Sequence, residues 1–389
     1  DICPSRGLGD VYKRQLPLCH ILERSVSVMI PLKTGAVVNF AESIDTVPEN
    51  IREVSPTVFI AVPRIWEKFY SSITILMKDA TFIGKFFYQL SINVGSKYKE
   101  YFIDGKEPPL SLKLSYWICN QLVLKNIKKL LGLNNCRYAL SGAAPISPDL
   151  INWYLSLGID MREGWGMTET AGVGTAFYSR EIKLGHVGRA VNDSEVRIAQ
   201  DGEILFRGPG VFCGYLNKPE QTKETLIDGW LHTGDVGEID NYGNLKITDR
   251  KKDIIITAGG KNISPSEIEN ELKFSPFISD AVVIGDKRKF LSCLIMIDEE
   301  NVMKHAQDND IPFSNFESLC KSEEIVSLID DEVNKVNKKF ASVEQVKKFS
   351  LIDIQLTAED DELTPTMKLK RKFINQKYGD IIESMYQSA

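Results

Sequence analysis

The apolar positions between residues 16 and 160 fall into short runs that alternate with helix-like stretches. The run SPTVFIAVP (55–63) is rich in β-branched and aromatic residues and ends at Pro63, which predicts a strand. The stretch LSYWICNQLVLKNIKKLLG (114–132) has apolar residues at helical spacing and predicts a helix that ends at Gly132. This alternation is typical of an α/β domain.

A second strand and helix follow directly. CRYALSGAAP (136–145) predicts a buried strand that ends in a turn of small residues. ISPDLINWYLSLG (146–158) predicts a helix, with Ser147 as N-cap, Pro148 at its first position and Gly158 just past its end. The next motif, GWGMTET (164–170), comes after one more strand-like run. Because ligands of α/β folds bind at the carboxyl ends of strands, both motifs are candidate binding loops.

The pattern changes after Gly185. Residues 195–208 predict a hairpin with an Asp-Gly turn, and residues 237–250 predict another that turns at 241–244. The segment 186–249 is therefore expected to be a β-rich subdomain of a large domain that spans 16–249. The charged stretch DRKKD (249–253) suits a linker.

The remaining residues predict a small C-terminal α+β domain, 250–389. Ser264, Pro265 and Glu267 are typical of a helix start with a capping box. The runs 280–286 and 292–298 predict short strands, and 323–340 predicts an amphipathic helix. Residues 1–15 show no helical or strand period, so we interpret them as a leader foreign to the fold.

The composition of the chain excludes several classes of function. The net charge of −6 argues against nucleic-acid binding, which needs a basic surface. Seven scattered cysteines without a CxxC pair fit reduced thiols in a cytoplasmic protein. No apolar run reaches the roughly 18 residues of a membrane span. The hydrophobic content of 43% and the charged content of 26% are those of an ordinary soluble globular protein.

Five stretches in order carry a family resemblance: LPLCHILER (16–24), SGAAPISPDL (141–150), GWGMTET, WLHTGDVG (230–237) with ITDRKKDIIITAGGKNISPSEIE (247–269), and LTPTMKLKRKF (363–373). Together they resemble the adenylate-forming superfamily, and most of all its long-chain fatty acid–CoA ligases. The family's phosphate loop lies upstream of the first motif and has no counterpart here. The resemblance therefore implies an adenylate-forming fold that lacks its N-terminal part.

The resemblance implies a reaction and its participants. ATP activates a long-chain fatty acid as an acyl-adenylate, with Mg²⁺ as cofactor, and the thiol of CoA then displaces AMP. Glu169 would be the metal ligand, and Thr168 would donate to a phosphate oxygen. The adenine and its surroundings would be bound by Gly142, Ala143, Ala144, Gly164, Trp165, Gly166 and Met167. Gly166 would also leave room for a long acyl chain. Core packing is the alternative interpretation of Trp165.

Further roles follow from the same resemblance. Asp235 would accept hydrogen bonds from the ribose hydroxyls, and Arg250 would reach the ribose or the phosphate. Lys368 would bridge the α-phosphate and the acyl carboxylate. Gly259 and Gly260 would let the backbone approach pantetheine. Lys252 is the candidate hinge of a mobile C-terminal domain, and His20 would make a weak binding contact.

Alternatives remain open at this stage. Asp235 could be a plain turn residue, Arg250 a linker charge, and Lys368 part of a basic tail. The chain could be an acyl-AMP ligase that loads a carrier protein, or a non-catalytic nucleotide-binding remnant. A peripheral membrane contact and a homodimer also stay open.

Overall fold

The computed structural model describes residues 11–14, 18, 20–43, 46–177, 182–353 and 370–387. Two compact units divide the chain. The first consists of residues 1–69 and 76–247, and the second of residues 70–75 and 248–389. The division at 247/248 lies two residues before the boundary predicted from the sequence.

The first half of unit 1 alternates helices and strands. Its elements, up to the second candidate loop, are β1 (Val11–Arg14), α1 (Ile21–Arg24), a π-helical turn (Ser25–Met29), α2 (Ile30–Thr34), β2 (Val37–Phe40), α3 (Val47–Val54), β3 (Val58–Ala61), α4 (Pro63–Lys78), α5 (Phe82–Ile103), α6 (Leu110–Cys119), a second π-helical turn (Asn120–Leu124), α7 (Lys125–Leu130), β4 (Tyr138–Ser141), α8 (Pro148–Ser156) and β5 (Met161–Glu163). Strands β3, β4 and β5 form a parallel sheet in that order. The predicted strand and helix signals of this region are thus confirmed.

Helix α8 begins and ends where the sequence indicated. The hydroxyl of Ser147 accepts a hydrogen bond from the backbone N–H of Asp149 (3.2 Å), and Pro148 occupies the first helical position. Gly158 follows the helix with a left-handed φ of 80°. Tyr154 is fully buried, and its hydroxyl donates to the backbone oxygen of Trp66 (2.7 Å). Helix α8 is therefore part of the core beneath the sheet edge.

Strand β1 lies inside the segment that the sequence analysis set aside. Its backbone pairs in parallel with β2, from Val11 beside Val37 to Arg14 beside Phe40. Four residues of the predicted leader thus join a strand pair, so excluding them from the fold was wrong. The origin of residues 1–15 stays a prediction.

The rest of unit 1 is rich in strands. It contains a 3₁₀ turn (Thr168–Thr170), β6 (Thr175–Ala176), β7 (Arg189–Ala190), β8 (Glu195–Ile198), β9 (Glu203–Arg207), α9 (Pro219–Thr225), β10 (Leu226–Ile227), β11 (Trp230–Ile239) and β12 (Leu245–Arg250). Both predicted hairpins are present, β8 with β9 and β11 with β12. The β-rich subdomain is confirmed.

Unit 2 is a small α+β unit. After β12 it contains β13 (Ile255–Ile256), β14 (Asn262–Ile263), α10 (Pro265–Lys273), β15 (Ile278–Ile284), β16 (Leu291–Ile297), α11 (Glu299–Asp308), α12 (Phe316–Lys321), α13 (Glu323–Asn337), β17 (Val346–Leu351), α14 (Arg371–Lys377) and α15 (Gly379–Gln387). Its three-stranded sheet has the order β15-β16-β17. Every side chain of β16 is buried, because helices cover both faces of the sheet.

The N-terminal capping of helix α10 differs from the prediction. Helix α10 starts at Pro265 as expected, but the side chain of Ser264 makes no capping bond. Instead, the carboxylate of Asp249 accepts from the backbone N–H (3.0 Å) and the hydroxyl (2.9 Å) of Ser266, and from the hydroxyl of Ser264 (2.8 Å). The predicted capping box is wrong because a carboxylate from strand β12 takes the place of the helix's own side chain.

Candidate functional site

Two of the predicted binding loops lie at one edge of the parallel sheet. Strands β4 and β5 pair so that Ser141 is beside Glu163, the last residue of each strand. The backbone N–H of Gly164 then donates to the carbonyl oxygen of Ser141 (3.2 Å). Loops 142–147 and 164–170 therefore leave the same edge together. Carboxyl ends of neighbouring strands are where open α/β sheets bind ligands.

The loop after β4 contains a strained residue. Ala143 is exposed and has a φ of 69°, a left-handed conformation that costs a non-glycine residue free energy. Gly142 is buried, and a Cβ atom built on it would lie 3.7 Å from the carbonyl oxygen of Gly164, an ordinary contact. Ala144 is half-buried. The three small residues predicted to approach a ring thus form one strained turn beside the second loop.

The loop after β5 ends in a tight turn. The hydroxyl of Thr170 accepts from the backbone N–H of Met167 (3.0 Å) and donates to the carbonyl oxygen of the same residue (3.1 Å). Thr170 is buried, whereas Thr168 is exposed and Glu169 half-buried. The two threonines therefore differ in role: Thr170 closes the turn, and Thr168 remains accessible.

Glycine is required at position 166 for a structural reason that the sequence analysis did not find. A Cβ atom built on it would lie 2.3 Å from the carbonyl oxygen of Gly172 and 2.8 Å from the Cα of Val173. Backbone atoms fill the space that we expected an acyl chain to use, so that expectation is corrected. Glycine is needed here because two stretches of backbone approach each other closely.

The structure brings Trp165 and Asp235 together, although 70 positions separate them. The indole Nε1–H of Trp165 donates to Asp235 Oδ2 at 2.8 Å, and both residues are buried. The ring of Trp165 belongs to a hydrophobic cluster and meets Phe206 edge to face, with centroids 6.0 Å apart. In this structure Trp165 thus packs in the hydrophobic core. Its contact with adenine stays a prediction.

Asp235 sits on an irregular part of β11. The pairing with β9 shifts register between His232 and Val236, as at a β-bulge. Gly234 has a φ of 71°, which favours glycine. Its backbone N–H donates to Glu203 Oε1 (2.9 Å), while Glu203 Oε2 lies 3.2 Å from His232 Nδ1. Glu203, which the sequence analysis missed, holds the turn that presents Asp235.

Tyr215 is a second residue that the sequence analysis missed. Its hydroxyl donates to Glu169 Oε1 at 2.7 Å. Burial, followed by the bond to Glu169, raises the pKa of the Tyr215 hydroxyl, so Tyr215 remains a donor at neutral pH. Among the described residues, no group of three His, Cys, Asp or Glu side chains could hold a metal ion. A single oriented carboxylate fits Mg²⁺, which takes one or two carboxylates together with phosphate oxygens and waters.

Glu163 connects the two loops at the sheet edge. It is buried at the end of β5, and its carboxyl group accepts a hydrogen bond from the backbone of Ile146 in the loop after β4. Burial raises the pKa of Glu163 to about 8, and the Ile146 bond offsets part of the rise. Glu163 is therefore a neutral acid at physiological pH.

Helix α1 (Ile21–Arg24), which ends the first motif, lies beside both loops. Side chains of helix α1 lie close to them: Ile21 is 3.4 Å from a Cβ atom built on Gly172, and Leu22 is 3.9 Å from one built on Gly142. His20 precedes this helix, and burial lowers the pKa of its imidazole. The predicted contact of His20 with a ligand stays a prediction.

In unit 2, the predicted residues among those described are exposed. Arg250 is exposed, and its backbone N–H donates to Asp249 Oδ1 at 2.7 Å. Gly259 and Gly260 are exposed at the tip of the hairpin formed by β13 and β14. Gly260 has a φ of 76°, and no atom lies within 4 Å of a Cβ built on it. Backbone at this tip is thus open to contact.

Lys368 lies outside the described residues. Three positions further on, Arg371 begins helix α14 and is firmly held. Its guanidinium donates to both carboxylate oxygens of Glu269 (2.7 and 2.9 Å) and to the carbonyl oxygen of Val283 (2.8 Å). From Arg371 onward the chain is therefore anchored to the core of unit 2 by a charge-assisted ion pair.

Comparisons with known proteins agree with this architecture. A family model for AMP-binding enzymes matches residues 2–216, and a model for the AMP-binding enzyme C-terminal domain matches residues 252–389. The first match includes residues 2–15. These matches confirm the family resemblance that the sequence predicted. This chain belongs to the AMP-binding enzyme family.

Two curated relatives are fatty-acid ligases by name. The long-chain-fatty-acid–CoA ligase FadD15 of Mycobacterium bovis is 36% identical over 373 residues, which cover 95% of this chain and 61% of the relative. The putative fatty-acid–CoA ligase fadD11 of Mycobacterium tuberculosis is 35% identical, with 98% of this chain and 67% of the relative covered. The chain thus spans about three fifths to two thirds of the length of these relatives.

Solved structures share the fold. The A domain of carboxylic acid reductase from Segniliparus rugosus, in complex with AMP and a co-purified carboxylic acid, gives a TM-score of 0.69 at 20% identity, covering 97% of this chain and 55% of that chain. O-succinylbenzoate Coenzyme A synthetase (MenE) from Bacillus subtilis, in complex with ATP and magnesium ion, gives 0.59 at 22% identity, covering 94% and 62%. At such identities the likeness establishes the fold alone.

Proposed function

We propose that this chain belongs to an ATP-dependent, long-chain fatty acid–CoA ligase that works through an acyl-adenylate. The observation that supports this most is the pair of loops at the ends of β4 and β5, joined by Glu163 and followed by the oriented carboxylate of Glu169. The names of the relatives at 35–36% identity support the acyl class and CoA as the thiol.

In the first half-reaction, a fatty-acid carboxylate attacks the α-phosphorus of ATP and pyrophosphate leaves. Negative charge accumulates on phosphate oxygens, so donors and cations aimed at them stabilise the transition state. Thr168 would donate its hydroxyl to one of these oxygens. Glu169, oriented by Tyr215, would hold Mg²⁺, which supplies positive charge to the phosphates. Lys368 would bridge the α-phosphate and the acyl carboxylate with its ammonium group.

The adenosine part would be held by groups that do not react. Asp235 offers two acceptor oxygens to the two ribose hydroxyls, and its bond from Trp165 leaves lone pairs for them. Arg250 would donate to the ribose or the phosphate with its fixed fork. The adenine would lie against the strained turn (Gly142, Ala143 and Ala144) and the backbone of the second loop (Gly164, Trp165, Gly166 and Met167).

In the second half-reaction, the thiol of CoA attacks the acyl carbonyl carbon and AMP leaves. Gly259 and Gly260, at an exposed hairpin tip, would let pantetheine pass close to the backbone. We further propose Lys252 as the hinge of the C-terminal domain. It lies in a turn in which the backbone N–H groups of Asp253 and Ile254 donate to the carbonyl oxygen of Arg250 (2.9 and 3.2 Å).

The second half-reaction offers the most direct test. The purified chain would be given oleoyl-adenylate with either CoA or a phosphopantetheinylated carrier protein, and thioester products would be separated by chromatography. We expect oleoyl-CoA. Thioester on the carrier protein alone would favour the acyl-AMP ligase, and no thioester from either thiol would favour a non-catalytic remnant.

A pair of variants ties the activity to the proposed site. Asp235→Asn keeps the size of the side chain but removes its charge, so we expect a higher KM for oleoyl-adenylate. Asp228→Asn is the matched control, because Asp228 is an exposed aspartate of the same subdomain. Equal kinetics of both variants would contradict the assignment of Asp235.

A further inference from the structure

Helix α5 buries small residues and exposes large apolar ones, the reverse of a usual amphipathic helix. Its inward face contains the small residues Ser91 and Gly95, both buried. A Cβ atom built on Gly95 would lie 2.0 Å from the carbonyl oxygen of Ser156 in α8, so the helices pack with their backbones nearly in contact. Its outward face exposes large apolar side chains instead: Phe82, Ile83, Phe86, Phe87 and Leu90.

The neighbouring helix α6 repeats this arrangement. Tyr98 of α5 and Tyr116 of α6 stack with ring centroids 4.1 Å apart, so the helices lie side by side. The Tyr116 hydroxyl also lies 2.1 Å from a Cβ atom built on Gly158, at the end of α8. Helix α5 thus packs on α8, and α6 packs on α5 with Tyr116 reaching the end of α8. The exposed apolar residues of α6 and the π-helical turn after it are Leu110, Leu114, Trp117, Ile118 and Leu122.

These ten side chains are called the outer helical face below. Phe82 is 85% exposed, and Phe86 and Trp117 are each more than half exposed. The aromatic rings alone leave on the order of 400 Å² of apolar surface in contact with water. That area is within the range of the largest apolar patch of a typical monomer, and such patches are often functional.

The charge around this face differs in sign from that of the chain. Residues 82–130 contain eight lysines and three acidic residues, a net charge of +5, whereas the whole chain has −6. Five of the lysines are exposed on the helices that carry or extend the face: Lys85, Lys97, Lys113, Lys125 and Lys129. A basic apolar helical surface favours an anionic lipid bilayer over a protein partner, because such a bilayer offers both an apolar interior and a negative surface.

We propose that the outer helical face docks this protein on anionic lipid bilayers, with α5 and α6 lying in the plane of the membrane. Phe82, Phe86 and Trp117 enter the boundary between headgroups and acyl chains, and the exposed lysines meet the lipid phosphates. Among the described residues, no helix is long and apolar enough to cross a membrane. The proposed contact is peripheral, and it does not depend on the proposed ligase activity.

The test measures vesicle binding by flotation. The intact chain would be mixed with vesicles of phosphatidylcholine alone, or of phosphatidylcholine with phosphatidylglycerol, at low and at high salt. We expect binding to the anionic vesicles that weakens with salt. Phe86→Ser with Phe87→Ser, and Lys125→Glu with Lys129→Glu, should each lower the affinity at least about tenfold.

Matched controls separate this effect from a general loss of surface properties. Leu216→Ser removes an apolar side chain that is even more exposed than Phe86 and Phe87 but lies in the β-rich subdomain. Lys338→Glu with Lys347→Glu reverses two exposed lysines of unit 2. Both controls should bind as the parent does, and tryptophan fluorescence should show that all variants fold.

Three results would overturn the proposal. The intact chain could fail to bind anionic vesicles, or the controls could lose as much affinity as the variants. Alternatively, the phenylalanine variant could leave vesicle binding unchanged while shifting sedimentation velocity from dimer to monomer. The last result would make the outer helical face a contact between two copies of the chain.

Discussion

Replacing Glu163 by glutamine should change how the stability of unit 1 depends on pH. Burial raises the pKa of this carboxyl group to about 8 in the folded chain, against an ordinary value of 4.5. Between these values the folded state keeps a proton that the unfolded state has released. Unfolding therefore releases a proton, and the stability of the wild type should fall as pH rises from about 5 to 8.

The magnitude follows from the linkage relation. One proton gives a slope of about 1.4 kcal/mol per pH unit, so the full window corresponds to an upper value of about 4 kcal/mol. We expect about 2–4 kcal/mol, a substantial part of the 5–15 kcal/mol that stabilises a typical domain. Glu163→Gln keeps an oxygen that can accept from the Ile146 backbone but has no proton to lose in this range. The stability of Glu163→Gln should therefore not show this loss as the pH rises.

Urea unfolding monitored by tryptophan fluorescence provides the assay. All five tryptophans belong to unit 1, so the signal reports on that unit alone. The free energy of unfolding would be measured from pH 5 to 8.5 for the wild type, Glu163→Gln, and the exposed control Glu224→Gln. The variant should gain on the wild type as pH rises, while the control should follow the wild type. Parallel curves for wild type and Glu163→Gln would refute the reasoning.

Four further outcomes are expected. Tyr215→Phe removes the hydrogen bond to Glu169, so the Mg²⁺ concentration needed for ATP–pyrophosphate exchange should rise about tenfold; an unchanged Mg²⁺ dependence would exclude an orienting role. Gly166→Ala should lower the stability of unit 1 by about 2 kcal/mol or more in urea, and wild-type stability would mean that the backbone can move apart there. Lys368→Ala should abolish adenylation but spare thioester formation from supplied acyl-adenylate; equal losses would sink its assignment. Lys252→Pro fixes φ near −65° and should slow one half-reaction far more than the other, whereas two unaffected rates would place the hinge elsewhere.

The sequence predicted best those elements whose signals are local. Ser147, Pro148 and Gly158 mark the two ends of α8 by their own conformational preferences, and the structure agrees. Both hairpins of the β-rich subdomain were visible because their turn residues and alternating side chains are neighbours in the chain. The order of the family motifs then indicated the fold as a whole.

Helix α5, the longest in the structure, was not singled out from the sequence. Its buried positions are small or polar and its exposed positions are apolar, so the usual rule for helical amphipathicity places the core on the wrong side. Close contact between helix backbones and an outward apolar face are tertiary properties that have no signature in a single segment.

The partners of the candidate site were missed for a related reason. Glu203 is 31 positions from Gly234, and Tyr215 is 46 positions from Glu169. Neither residue belongs to a motif, and each is brought into contact only by the pairing of strands or the path of a loop. Sequence could identify the groups predicted to touch ligands, but not those that hold them.

The hydrogen bonds between Glu203 and the turn at residues 232–235 have a consequence for sequence evolution. One carboxylate spans the backbone N–H of Gly234 and the imidazole of His232, so aspartate, shorter by one methylene, could not reach both. A lineage that alters the turn removes two partners of the buried Glu203 carboxylate, which is then less well satisfied and open to replacement. Among relatives, the position of Glu203 should therefore vary together with those of His232 and Gly234, as one unit of selection spread over two strands.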